Sequence, residues 1–160
     1  LAGNGVDSLR TFADNGGMVV SFGDATEFAI EAFSLNVKNV LSKVPTRDFF
    51  CPGSTLKVQV DNRHPLAYGM PSDALALFWS NPAFEITPSR ENYHYDTIVR
   101  YPDRDILQSG WLIGEGHLKK KAAMVTARFG QGKVVLIGFR PQHRAQTHGT
   151  FKLVFNTMLQ

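Results

Sequence analysis

Val6-Asp7-Ser8-Leu9-Arg10-Thr11-Phe12-Ala13-Asp14-Asn15-Gly16-Gly17-Met18-Val19-Val20-Ser21-Phe22-Gly23-Asp24-Ala25-Thr26-Glu27-Phe28-Ala29-Ile30-Glu31-Ala32-Phe33 is the most informative stretch of this chain. Val6, Leu9, Phe12 and Ala13 recur at helical spacing and predict a helix over residues 6–15. Gly16-Gly17 stops it, because glycine accepts the left-handed conformation that ends helices. Residues 18–22 form a nearly unbroken apolar run, the pattern of a strand covered by helices on both sheet faces. Gly23-Asp24 then turns into a second helix over residues 25–33, with Asp24 the expected cap and Glu27 its capping-box partner. Helix, buried strand and helix in succession predict a doubly wound α/β unit.

Beyond this stretch the pattern changes. Leu56, Val58 and Val60 alternate with Lys57, Gln59 and Asp61, which predicts a half-buried strand over 55–61. Further short strands are expected at 73–79 and 97–101, separated by turns at Pro71, Pro82 and Pro88. Residues 122–129, the turn Gly130-Gln131-Gly132 and residues 133–139 predict a hairpin. A terminal helix is expected around 150–159, with Phe151, Val154, Phe155, Met158 and Leu159 as its buried face. In the loop from Asn62 to Pro71, Tyr68 and Met70 are expected to pack inward. A doubly wound sheet normally opens on a strand, whereas this chain opens near a helix. Either the sheet is small or leading strands lie on sequence before Leu1.

The composition restricts the function classes. With 160 residues, 43% of them hydrophobic, the chain can bury the core of one domain. The twelve phenylalanines point to an aromatic-rich core. The net charge of +3 is too small for the dense basic face that nucleic-acid binding requires. Lys119-Lys120-Lys121 reads as a solvated edge. No apolar run approaches a membrane span. The single cysteine, Cys51, excludes an internal disulfide. The chain starts on Leu1 without an initiator Met and reads as a processed or excised piece.

No complete catalytic set emerges. Cys51 sits in Phe49-Phe50-Cys51-Pro52-Gly53, without an apolar strand before it. Proline after the thiol removes the amide that usually helps to hold an oxyanion, so Cys51 is expected to be a buried structural residue. The five histidines, His64, His94, His117, His143 and His148, show no metal-binding spacing, and no metal site is expected. Gly130-Gln131-Gly132 joins two strands and cannot aim a helix N-terminus at a phosphate. The best remaining candidate is the loop Arg140-Pro141-Gln142-His143-Arg144-Ala145-Gln146-Thr147-His148. It follows an apolar strand and leads into a helix, at the sheet edge where ligands gather in open α/β folds. Arg140, His143, Arg144 and His148 are its candidate ligand-binding residues, for a carboxylate or another anionic small molecule. The competing expectation is that these groups only pin the loop.

Three segments together resemble a known family: residues 61–71 (DNRHPLAYGMP), 109–115 (SGWLIGE) and 132–146 (GKVVLIGFRPQHRAQ). They are similar to the C-terminal region of bacterial zinc carboxypeptidases related to carboxypeptidase A. There a metallopeptidase domain is followed by a domain similar to class I glutamine amidotransferases. The resemblance runs from about Val6 to Leu159. It implies a flavodoxin-like three-layer α/β sandwich over residues 1–160, with leading strands before Leu1, a C-terminal β-hairpin and a terminal helix. It also implies a non-catalytic accessory domain whose parent removes C-terminal residues from peptides. The implied partner is the peptidase domain of the same chain, and the implied location is secreted or periplasmic. The zinc and its ligands belong to the parent's peptidase domain; no catalytic residue and no cofactor carries over to these positions. The amidotransferase pattern is incomplete too, since neither a Gly-x-Cys-x-Gly elbow nor a His-x-Glu pair occurs.

Overall fold

The computed structural model describes residues 3–88 and 94–159. Helix α1 (Gly3–Asp14) leads into strand β1 (Met18–Phe22) and helix α2 (Ala25–Ala32), as the opening pattern predicts. There follow β2 (Val37–Asn39), β3 (Pro52–Val60), β4 (Asp73–Trp79), β5 (Phe84–Ile86), β6 (Tyr95–Arg100), β7 (Leu107–Ser109), β8 (Ala122–Phe129) and β9 (Gly132–Ile137), then helix α3 (Phe151–Met158). The main path of the sheet runs β1-β9-β8-β6-β3-β4, with β2, β5 and β7 attached at its sides.

The sheet is mixed: the hairpin expected over 122–139 is antiparallel, and β1 joins it in parallel. β1 pairs with β9 in parallel, Met18 opposite Lys133 through Phe22 opposite Ile137. The other ladders are antiparallel. For β8 and β9 the tight turn leaves no alternative, because only a long excursion can bring a strand back in parallel. Among the described residues β1 is paired on one side only.

Two apolar clusters flank the sheet and give three layers. On one face Ala13 of α1 and Ala29, Ala32 and Phe33 at α2 meet Val125, Ala127, Val134 and Leu136. On the other, Leu153 of α3 and Leu66, Ala67 and Met70 meet Val58, Val135, Ile137 and Phe139. β8 and β9 lie between and are buried along nearly their whole length, which explains their continuous apolar sequence.

Three local expectations need correction. Asp24 makes no side-chain cap at α2; it already has helical angles, and Glu27 Oε1 accepts from Asn39 Nδ2 at 2.7 Å instead of closing a box. The face of α3 is turned: Leu153 and Thr157 are buried, while Phe155, Met158 and Leu159 are exposed. Polar bonds set that orientation. Asn156 Nδ2 donates to the carbonyls of Leu66 and Tyr68, and Lys152 Nζ donates to the carbonyl of Gly69. These bonds require the 65–70 turn to approach α3 by its backbone, so the Tyr68 ring points to solvent at 79% exposure while Met70 is buried. Lys120 and Lys121 pair with Asp103 and Glu85 at the surface.

Candidate functional site

The cleft lies where β1, β4 and β9 end. After Phe22 the chain turns at Gly23 and enters α2 at once; Gly23 has φ +53°, and its amide donates to the Ile137 carbonyl at 3.0 Å. A tight strand-to-helix turn with one left-handed residue is the elbow on which hydrolases of α/β folds mount their nucleophile. Here that position is a glycine, so the elbow carries no reactive side chain. An atom at the Cβ position of Gly23 would stand 3.1 Å from Asn81 Nδ2.

Across the cleft, Trp79 closes β4 and its amide donates to Asn81 Oδ1 at 2.8 Å. The third wall is Phe139 to Gln142, tied to β4 by the Arg140 amide donating to the Leu77 carbonyl at 2.9 Å. Together these segments enclose about 450 Å³. The Arg140 guanidinium lies over the Trp79 ring, 5.2 Å from its centroid, and Asp24 stands at the rim on the α2 side. Stacking on indole fixes the plane of a guanidinium while leaving its N–H edge free to bind.

The structure separates the four candidates of the 140–148 loop. Arg140 lines the cleft. His143 packs against Trp79, with ring centroids 5.7 Å apart, and so props the wall. Arg144 and His148 do not line it: Arg144 is exposed with φ +47°, and the His148 ring sits 5.1 Å from Phe151. The Pro141 carbonyl accepts from Thr150 Oγ1 at 2.7 Å and Thr147 Oγ1 at 3.2 Å, which pins the loop to the start of α3. Sequence reasoning missed Gly23, Asp24, Trp79 and Asn81 as site residues. The signal for the first two was available in a glycine standing directly between an apolar strand and a helix.

Cys51 lies outside this constellation. Its carbonyl accepts from Ser80 N, but the residue is 2% exposed and its side chain belongs to the core. Burial pushes the thiol pKa up, a shift that the contact with Ser54 only partly offsets. A raised pKa disfavours the thiolate that nucleophilic attack requires. Among the described residues no three His, Cys, Asp or Glu side chains could share a metal ion, and no helix is long and apolar enough to cross a membrane.

A second polar cluster gathers around Asp96. His64 Nδ1 accepts the Leu66 amide at 3.2 Å and caps the turn Pro65–Ala67. His64 Nε2 lies 3.7 Å from Asp96 Oδ2, and His94 Nε2 lies 3.2 Å from Asp96 Oδ1. Burial holds the His64 imidazole below its ordinary pKa; Lys133 adds to this, while Asp96 and Asp61 pull it back. The unfolded chain therefore takes up this proton first as pH falls. The stability contributed by neutral His64 is complete above a pH of about 6.5 and declines below it. A urea midpoint measured from about pH 7.5 to about 5.5 should fall, and the fall should be shallower in His64→Asn, whose amide oxygen can still accept the Leu66 amide. Equal slopes in the two proteins would contradict this assignment.

No protein-family model matches the chain. No curated protein matches it either. Solved structures do resemble it. A β-galactosidase from Bacillus circulans sp. alkalophilus aligns over 96% of this chain and 20% of its own, at 10% identity and a TM-score of 0.55. A protein assigned as a GMP synthase subunit from Thermoplasma acidophilum aligns over 97% of this chain and 63% of its own, at 12% identity and a TM-score of 0.57. A ThuA-like protein from Bacteroides uniformis aligns over 96% and 61%, at 15% identity and a TM-score of 0.51. The fold is flavodoxin-like and glutamine amidotransferase-like. At these identities the likeness is one of fold alone. The chain spans from a fifth to about three-fifths of the lengths of these proteins.

Proposed function

We propose that this chain is a non-catalytic accessory domain, an amidotransferase-like scaffold that binds without turning over. The single observation that carries this reading is Gly23 at the elbow, where a nucleophile would have to stand. The buried thiol of Cys51 agrees with it, because the only cysteine is withdrawn into the core. The resemblance of residues 61–71, 109–115 and 132–146 to the C-terminal region of bacterial zinc carboxypeptidases supports a parent chain of that kind. In that setting the partner is the peptidase domain, the zinc resides there, and the location is secreted or periplasmic. The runner-up reading is an anion-binding module centred on the 140–148 loop. What favours it is Arg140, which reaches the cleft and forms no ion pair among the described residues. A cysteine-dependent amidohydrolase is the least supported reading.

The test uses the full-length protein. Deleting residues 1–160 should leave zinc content and kcat on a C-terminal peptide substrate within about twofold, while stability or localisation changes. Loss of zinc together with activity would contradict an accessory role. If the deletion fails to fold, Arg140→Ala in the intact chain gives the same readout without removing a domain.

A further inference from the structure

From the cleft at the elbow we infer a site for a small zwitterion, a free α-amino acid with an apolar side chain. The inference rests on the non-catalytic reading of the same cleft and adds its ligand class. Two opposite charges face one volume of about 450 Å³ without pairing: Arg140 and Asp24 both line it, and no ion pair joins them. Two unpaired opposite charges lining one cleft complement a ligand that carries both signs. Arg140 is set in its plane by Trp79, which suits its guanidinium to a carboxylate. Asn81 supplies a second donor. The residue is 7% exposed, its Oδ1 is occupied by the Trp79 amide, and its Nδ2 forms no hydrogen bond to any described residue while facing the cleft beside Gly23. An amide N–H that opens only on the cleft has no fixed partner, and a ligand carboxylate would supply one. Asp24, which lines the same cleft at the start of α2, would accept an ammonium. Phe22, Phe139 and Val154 add apolar lining to the same cleft. A lone inorganic anion answers only half of this arrangement, because it leaves Asp24 as an uncompensated repulsion.

The chain is titrated calorimetrically with L-leucine, N-acetyl-L-leucine, L-leucinamide and inorganic phosphate, up to about 10 mM each. L-Leucine should bind saturably. Blocking either terminus should weaken binding about tenfold or more, since each block removes one charge-assisted contact. Arg140→Ala and Asp24→Ala should each cause a comparable loss, whereas Arg63→Ala, which removes a cation away from the cleft, should not. Absence of saturable leucine binding would overturn the inference, as would equal binding of the blocked compounds or phosphate, or retention of affinity by both cleft variants. Hydrolysis of an amide substrate by the same sample would instead overturn the non-catalytic reading beneath it.

Discussion

Phe33→Ala is expected to destabilise the chain by about 3–5 kcal/mol, the range for removing a fully buried aromatic ring. Phe33 follows the last turn of α2, is 0% exposed, and meets the Phe129 ring edge-to-face at a centroid distance of 5.0 Å. It thereby joins α2 to the far end of β8, on the face where Ala13, Ala29 and Ala32 offer only small side chains. Small neighbours cannot expand into the void, so the cavity term is added to the lost transfer energy. Urea denaturation at neutral pH would show a lower midpoint with an unchanged slope. A loss under about 1 kcal/mol would mean that the cluster collapses to fill the space.

The second large effect comes from adding atoms. Gly132 opens β9, and a Cβ there would fall inside van der Waals contact of the carbonyl oxygens of Ala13 and Gly17. Both obstacles are backbone, so rotamer changes cannot relieve them. The Gly17 carbonyl also accepts the Lys133 amide at 3.2 Å, and the Asp14 carbonyl accepts the Gln131 amide at 3.0 Å. Gly132→Ala therefore has to move the end of α1 away from the hairpin and weaken those bonds, at a cost of about 3 kcal/mol. Gly116→Ala is the matched control, because nothing lies within 4 Å of its Cβ position. Equal midpoints for the two variants would show that the α1–hairpin junction is looser than its geometry indicates.

Much of this architecture was legible in the residues, for identifiable reasons. β1 is bounded by Gly16-Gly17 before it and Gly23 after it, and its apolar run has no other reading. The β8–β9 hairpin announces itself through two apolar strands around a glycine turn. β8 is buried on both faces although its ladders are antiparallel, so its continuous apolar run does not reflect parallel pairing. The face of α3 was misjudged because its aromatic stripe is stronger than the Leu153 and Thr157 pair that turns inward. Periodicity cannot weigh hydrogen bonds from Asn156 and Lys152 to a loop more than eighty residues away.

The candidate site was half legible. The 140–148 loop follows β9, and of its four candidates only Arg140 lines the cleft. Trp79 and Asn81 come from β4 and the turn after it, remote in sequence, and nothing in their local pattern points towards β1. Gly23 carried the clearest message, but a search for nucleophiles follows reactive side chains and passes over a position that has none.

The most direct measurement is intact-mass analysis of the native chain after exposure to iodoacetamide and to an electrophilic glutamine analogue. If the scaffold has no working nucleophile, the mass stays unchanged, and Cys51 alkylates only once denaturant opens the core. Rapid stoichiometric modification of Cys51 in the folded protein would contradict the account.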